Sequence, residues 1–494
     1  MPKRHLPLAL TLGAVLAALA PVPPASASAD ACPVVDGTAA RCGNVTVPLI
    51  RSDPAAGTTR VAYALLPRTR TSRPAAGTVM LVPGGPGDPA IAQAQDFATT
   101  TAALRADHDL LLVDPRGIGR SQRHDCGLPA DYLRLSYERQ TDEVGRCGRR
   151  FGAKARAFTS AELADDLDAV REHLGIDRVF PYGLSYGTYL STIYAARHPG
   201  HTQGIVQSGA YPVRFDPLAR PGAQTVERAL RRLCARSGGA CRGEEAVANL
   251  KRLAARLRHK PIPFRIEVSG RPRTMKLGER MLALMHLYVA SLGGVPHAWT
   301  ELPAAVAEAV AGDTRALIAL AQKVSEQLGR SLPPESRAVL AMSVSIQCND
   351  YPAVWDRKTP PSRRPAVLAK ALRRAEGEFG PFSARSWYEA FNENYNCQKW
   401  PGALGPAEPG PAPGVPVLVL SGELDTNTPV PQGREAAAQF PSATFVEVPS
   451  AGHVPTEEDS GCAARLAATF IRTGSTGDRS CLKSIPPLPV RRTR

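Results

Sequence analysis

Three polar residues of this 494-residue chain could together carry out nucleophilic hydrolysis. Ser185 is the centre of residues 183–187, Gly-Leu-Ser-Tyr-Gly, which follow a strand-like apolar run and precede a helix-like run. A sharp turn between strand and helix exposes a serine hydroxyl, but a neutral hydroxyl is a poor nucleophile unless a base takes its proton. His453 could accept that proton, and Asp425 could hold the imidazole tautomer and stabilise its charged form.

The candidate acid and base each follow a strand-like run late in the chain. Residues 417–420 precede Asp425, and residues 444–448 precede His453. Since the ligands of open α/β sheets bind outside the carboxyl ends of the strands, we expect these two side chains to lie near Ser185. Glu423 lies in the same loop as Asp425 and is the alternative acid.

A glycine-rich segment earlier in the chain could bind negative charge. Residues 83–87, Pro-Gly-Gly-Pro-Gly, follow a buried strand pattern at 78–82. Without side chains, the backbone N–H groups of such a loop can point at an anion. An ordinary turn of this composition is the structural alternative.

The alternation of elements indicates an α/β fold with a mostly parallel central sheet. A strand pattern at 109–113 is followed by a helix pattern at 161–174, the serine turn and another strand pattern at 204–206. Such alternation of strands and helices is typical of parallel sheets. From about 212 to 401 helical periodicity replaces the alternation, and residues 402–416 contain five prolines and four glycines. We therefore predict a core at 30–211 and 417–494, interrupted by a helical cap at 212–401 and a connector at 402–416.

The first 29 residues match a secretory signal peptide. Lys3, Arg4 and His5 precede an apolar run at 6–20, and Ala27-Ser28-Ala29 matches a cleavage site. A membrane anchor is the alternative, but the run is shorter than the roughly 20 residues needed to cross a bilayer. We predict an extracellular protein without a membrane partner after cleavage.

All ten cysteines follow the predicted cleavage site, and export favours disulfides. Because neighbours close small loops, we predict pairing in sequence order: Cys32–Cys42, Cys126–Cys147, Cys234–Cys241, Cys348–Cys397 and Cys462–Cys481. The chain has no C-x-x-C or H-E-x-x-H motif, so no metal and no cofactor are predicted. Its net charge of +15 is scattered through helix patterns, which indicates a solvated basic surface rather than nucleic-acid binding.

Several motifs together resemble the secreted tripeptidyl aminopeptidase and proline iminopeptidase branch of the α/β-hydrolases. They lie at 81–87, 113–121, 183–188, 422–425 and 452–453, with further likeness at 347–350 and 396–401. The order Ser, Asp, His is the order of that fold. The resemblance implies a large helical cap inserted between strands and a serine exopeptidase that releases short peptides from free N-termini of peptide substrates.

Residue roles follow from the matched motifs. The resemblance implies that Ser185 is the nucleophile, that Asp425 and His453 complete a triad, and that backbone N–H groups of Gly85 and Tyr186 form the oxyanion hole. The chain departs from the family after the glycine loop, at 88–90, and again at 207–210. A secreted esterase or lipase with the same triad is the alternative function, and a non-catalytic hydrolase-like binding protein is a third.

An aminopeptidase must also bind the substrate ammonium, and we predict Asp350 in the cap for this role. It follows Cys348, whose predicted bridge would fix the loop over the sheet, and it lies in a segment resembling the family. The structural alternative is that Asp350 caps a turn before Tyr351. Glu389 and Glu393 are weaker candidates on one helix face.

Overall fold

The computed structural model describes residues 31–493 except 269–270, 290–297, 329–331, 393–395, 403–404 and 406–413. The predicted signal peptide therefore lies outside the described residues. The strands, in chain order, are β1 Val34–Val35, β2 Thr38–Ala39, β3 Arg41–Pro48, β4 Thr58–Leu66, β5 Gly77–Val82, β6 His108–Val113, β7 Phe180–Leu184, β8 Ile205–Ser208, β9 Ile262–Val268, β10 Arg271–Leu277, β11 Val417–Gly422 and β12 Ala443–Val448.

The helices alternate with these strands in the core and dominate the cap. They are α1 Ala94–Thr100, α2 Tyr137–Phe151, α3 Ser160–His173, α4 Tyr186–Arg197, α5 Arg220–Ala235, α6 Gly243–His259, α7 Glu279–Leu284, α8 Ala298–Ala311, α9 Arg315–Leu328, α10 Pro334–Asp350, α11 Arg364–Arg374, α12 Ala384–Phe391, α13 Val430–Ala438 and α14 Cys462–Thr473. A π-helical turn, Met285–Val289, continues α7.

The predicted mostly parallel sheet is confirmed. Eight strands run in the order β12-β11-β8-β7-β5-β6-β4-β3, and the first six of these are mutually parallel. At the other end of the sheet, β4 runs antiparallel to β6, and the edge strand β3 runs antiparallel to β4. Helices cover both faces, since Met80 of β5 packs in one apolar cluster with α4 residues while its neighbour Leu81 packs in another with α14 residues. Burial on both faces explains why these strands are continuous apolar runs.

The cap is inserted between two strands that are neighbours in the sheet. β8 pairs with β11 in parallel, with Ile205 opposite Val417, although more than 200 residues separate them in sequence. Between them, α5–α9, α11 and α12 contribute to a separate apolar cluster that includes Trp299 and Trp387. The remaining cap helix, α10, packs instead in the cluster that contains Met80 of β5. The inserted segment therefore has an apolar cluster of its own and enters the chain between two interior strands of the sheet.

The cap differs from its sequence-based prediction in two places. An antiparallel hairpin, β9 with β10, was not predicted, because its alternating side chains include many charged residues. The helical periodicity over 304–328 would fit one long helix, but the structure has two, α8 and α9, since Gly312 has a φ of 110° and ends the first. Left-handed backbone at glycine is a common helix stop.

The cysteines pair as predicted in sequence order. All five disulfides form, and no free cysteine is present among the described residues. Cys348–Cys397 joins the end of α10 to the segment after α12. Among the described helices, none combines the length and apolar character needed to cross a membrane.

Candidate active site

Ser185 lies in a strained turn between β7 and α4. Its φ of 52° and ψ of −118° are unfavourable for an L-residue, and such strain is typical of functional turns. Glycines on both sides make the turn sterically feasible. A Cβ on Gly183 would lie 2.4 Å from the Gly187 carbonyl oxygen, and one on Gly187 would lie 2.0 Å from the Val82 carbonyl oxygen. The turn therefore requires both flanking glycines.

The three residues predicted to cooperate are joined by hydrogen bonds. His453 Nε2 lies 2.8 Å from Ser185 Oγ, and His453 Nδ1 lies 3.0 Å from Asp425 Oδ2. The side chains of His453 and Asp425 are only 2% and 0% exposed, so water does not weaken their interaction. This geometry allows the imidazole to take a proton from the serine while the carboxylate stabilises the resulting charge.

Asp425 is held in place by its own loop. Its Oδ1 accepts hydrogen bonds from the backbone N–H groups of Asn427 and Thr428 at 2.8 and 2.9 Å. The Thr428 hydroxyl donates to Oδ2 at 2.5 Å. Burial opposes ionisation, but His453 and these hydrogen bonds outweigh it and lower the pKa of Asp425 below its usual value. The carboxylate is therefore ionised at neutral pH.

Sequence reasoning did not identify Thr428 as part of this arrangement. Its hydroxyl oxygen also lies 2.9 Å from His453 Nδ1, so it contacts both partners. An aspartate followed by polar residues two and three positions later is the signal that could have indicated this turn. Thr428 therefore fixes the orientation of the carboxylate relative to the imidazole.

Glu423, the alternative acid, lies elsewhere. Its Oε2 accepts the backbone N–H of Ser450 at 3.0 Å. Arg232 and Arg236 lie 3.8 and 3.7 Å from the same carboxylate. The structure thus brings Asp425, and not Glu423, to the histidine.

The glycine loop lies against the serine. A Cβ on Gly84 would lie 3.3 Å from Ser185 Cβ, and Gly85, with a φ of 110°, lines the same pocket as Ser185. Tyr186 is the first residue of α4, where backbone N–H groups have no partner within the helix. N–H groups of the loop and of the helix end therefore lie beside the hydroxyl, an arrangement that can stabilise a negative charge developing on a carbonyl oxygen.

A pocket of about 100 Å³ opens next to Ser185 and Gly85. Much of its wall is aromatic, including Tyr211 at the end of the first core segment and Tyr351 and Tyr388 of the cap. Its polar wall includes the carboxamides Gln347, Asn392, Asn427 and Gln432. Arg357 and Arg364 also line the pocket and donate to backbone carbonyls. The wall therefore offers both apolar and hydrogen-bonding surface to a ligand.

Comparisons with known proteins agree with this geometry. Residues 77–238 match the family described as alpha/beta hydrolase fold, and residues 382–481 match the family described as TAP-like protein. The chain has the α/β-hydrolase fold. With the Ser-His-Asp chain of hydrogen bonds at the carboxyl ends of the strands, it is a serine hydrolase of that fold.

Curated relatives of this hydrolase extend over most of the chain. Tripeptidyl aminopeptidase of Streptomyces lividans is 24% identical over 478 residues, which cover 91% of this chain and 85% of the relative. Serine protease Hip1 of Mycobacterium tuberculosis is 27% identical over 465 residues, covering 88% and 86%. Proline iminopeptidase of Neisseria meningitidis is 27% identical over 136 residues, covering 28% and 33%.

Asp350 of the hydrolase does not lie in the pocket, and this corrects the predicted ammonium site. Its side chain is buried, with the residue 1% exposed, and its Oδ2 accepts the backbone N–H of Ser160 at 2.5 Å. Ser160 is the first residue of α3, so Asp350 satisfies a helix N-terminus in the core. Burial raises its pKa to about 7, which is the opposite of what a cation-binding carboxylate needs.

The two weaker ammonium candidates gain no support. Glu389 is ion-paired with Arg385 at 2.7 Å on the surface of α12. Glu393 lies outside the described residues. The hydrolase therefore has no ammonium ligand identified among the predicted residues.

One cluster of the described residues has donor atoms close enough to hold a metal ion: Asp168, His198 and His201, all within 4.8 Å of one another. Asp168 already accepts hydrogen bonds from Arg171 at 2.7 Å and from the Tyr194 hydroxyl at 3.1 Å. Its oxygens are thus occupied by protein donors. The cluster lies at the far end of α4 from Ser185, about 18 Å away along the helix axis.

Proposed function

We propose that the chain is a secreted serine exopeptidase, an aminopeptidase of tripeptidyl type that releases short peptides from free N-termini. The observation that carries the proposal is the hydrogen-bonded series Ser185, His453 and Asp425 beneath a cap-lined pocket. The match to the TAP-like family and the names of the relatives support peptides as the substrate class.

In the proposed reaction, Ser185 Oγ attacks the carbonyl carbon of the scissile peptide bond while His453 Nε2 takes the hydroxyl proton. The N–H groups of Gly85 and Tyr186 stabilise the oxyanion of the tetrahedral intermediate. His453 then gives the proton to the leaving nitrogen, the carbon–nitrogen bond breaks, and an ester to Ser185 remains. Water, deprotonated by His453, attacks this ester. The bond from the acyl carbon to Ser185 Oγ then breaks, His453 returns the proton to Oγ, and the peptide acid is released.

The position of the pocket supports an exopeptidase. Its walls include cap residues of α10 and α12, so the cap covers the nucleophile rather than leaving an open cleft. A long polypeptide would need to pass through the site to be cut in its middle. A chain end needs only to enter it.

Export is supported by the disulfides and by the predicted signal peptide. Five disulfides are typical of proteins that fold in an oxidising compartment. Determining the N-terminal sequence of the protein from culture supernatant tests this part of the proposal. The expected first residue is Asp30, directly after Ala29.

A substrate panel tests the activity. We expect the enzyme to cleave tripeptidyl anilides with a free amine at least about tenfold faster, in kcat/KM, than their N-acetylated twins, because the proposed exopeptidase acts on free N-termini. Hydrolysis of a short-chain ester without cleavage of any anilide would favour the esterase alternative. Cleavage within a long blocked peptide would contradict exopeptidase activity.

A further inference from the structure

Gln347 is a buried polar residue of the pocket wall that the proposed reaction does not use. It lies in the last turn of α10, is 7% exposed, and lines the same pocket as Ser185. Its Nε2 is shielded from solvent and has no hydrogen-bond partner within the part of the chain that the structure describes. Buried polar groups are almost always hydrogen-bonded, so an unpaired amide beside a nucleophile indicates a site for a ligand.

Its polar neighbours in the wall are bonded within the protein. The hydroxyls of Tyr211 and Tyr351 are hydrogen-bonded to each other at 2.5 Å. The guanidinium of Arg357 donates to the backbone carbonyls of Asn349 and Tyr351 at 3.1 and 2.6 Å. These polar groups of the wall are thus already paired, whereas the Gln347 amide nitrogen is not.

The pocket receives the acyl part of the substrate. Ser185 and Gly85 line it, so it begins where the carbonyl group must lie. The acyl part stays bonded to Ser185 after the leaving group departs, and a pocket lined by Ser185 and Gly85 can hold it.

Resting on the proposed peptidase function, we propose that Gln347 is a specificity-determining residue that pairs with a peptide group in the acyl part of the substrate. A carboxamide carries two N–H donors and one carbonyl acceptor, which match the C=O and N–H of a peptide bond. An acyl part of one amino acid contains no such group, whereas one of two or three amino acids does. Gln347 thus favours substrates in which at least two residues precede the cut.

The test compares substrates of increasing length in the full-length enzyme and in Gln347→Met. Methionine has a similar length and volume but no amide, so packing is kept. We measure kcat/KM for free-amine anilides with one, two and three residues and for a short-chain ester. We expect the variant to lose about 10–100-fold on the two- and three-residue anilides, chiefly through KM, and to stay within about twofold on the others.

Gln140→Met is the matched control. Gln140 is a buried carboxamide of α2, 0% exposed, whose Oε1 also has no partner among the described residues, and it is not part of the pocket wall. Its replacement should leave the ratio between long and short substrates as in the wild type. Turnover of the ester by Gln347→Met shows that the variant is folded.

Two outcomes separate this inference from the proposed function. Equal losses on all substrates, or no loss on any, would overturn the role of Gln347 while leaving the peptidase activity of the wild type in place. A wild-type enzyme that cleaves the ester but no peptidyl anilide would overturn both.

Discussion

Replacing Asp350 with asparagine should change how the stability of the protein depends on pH. The Asp350 carboxyl is buried at the end of α10, where it accepts the Ser160 N–H, and burial raises its pKa from 3.8 to about 7 even though Arg357 opposes the shift. Asparagine offers an acceptor of the same size to that N–H but cannot ionise. The variant therefore isolates the effect of the carboxyl charge.

The direction follows from the raised pKa. Between pH 4 and 7 the folded protein keeps a proton on Asp350 that the unfolded chain releases, so the wild type loses stability as pH rises through this range. Above pH 7, ionisation of Asp350 lowers the free energy of unfolding by about 4 kcal/mol relative to its value below pH 4. The pKa values of the unfolded and folded states differ by about three units, and each unit corresponds to about 1.4 kcal/mol. Between pH 5 and 8 the loss is roughly 2–3 kcal/mol. The Asp350→Asn variant does not lose this stability, because its side chain cannot ionise.

The measurement is urea-induced unfolding of both proteins, with disulfides intact, at pH 5, 6, 7 and 8. The free energy of unfolding of Asp350→Asn, relative to wild type, should increase steadily from pH 5 to pH 8, by roughly 2–3 kcal/mol in total. Asp313→Asn is the control, because the exposed Asp313 carboxyl pairs with Arg315, its pKa is lowered to about 2, and it does not titrate in this range.

A difference that stays constant from pH 5 to 8 would refute the reasoning, since it would mean that Asp350 remains ionised in the folded protein, paired with Arg357. The same two proteins also test the discarded role. Because Asp350 does not line the pocket, the ratio of activities on free-amine and N-acetylated tripeptidyl anilides should be the same in both.

Two further predictions concern the reaction. Ser185→Ala should lower kcat by about 10⁴–10⁶-fold in the anilide assay without loss of folding, and a variant that keeps more than a tenth of the wild-type activity would exclude Ser185 as the nucleophile. Asp425→Asn should lower kcat by about 10⁴-fold, whereas Glu423→Gln should change it little, because only Asp425 contacts His453. The opposite result for this pair would make Glu423 the catalytic acid.

Much of the core could be predicted because its physics is local. The strand patterns at 78–82 and 109–113 coincide with β5 and β6, since parallel strands buried on both faces must be continuous apolar runs. The cap was harder. In its hairpin, β9 alternates apolar and polar residues, but its partner β10 contains Arg271, Arg273 and Lys276 and gives no such pattern, so the pair did not stand out among helical segments.

The grouping of Ser185, Asp425 and His453 could also be anticipated, because each follows a strand of one parallel sheet and the carboxyl ends of such strands share an edge. The contacts that orient these three residues could not be predicted from the sequence. The turn that fixes Asp425 depends on Thr428, and the choice between Asp425 and Glu423 depends on which side of one short loop faces the histidine. Those orientations are set by tertiary contacts rather than by residue type.

The error at Asp350 shows why charge alone is a poor guide to a binding residue. Asp350 and Gln347 lie on the same turn of α10, and three residues at 100° each place them only about 60° apart around the helix. Because of that rotation, Asp350 lies at the N-terminus of α3, where its carboxyl accepts a backbone N–H. Gln347 lies in the pocket wall, and its amide nitrogen is unpaired. A polar group that is already bonded within the protein is unavailable to a substrate, whereas a buried and unpaired one gains a partner when the substrate binds. Sequence gives the type of each side chain, and only the folded structure shows which of them still lacks a partner.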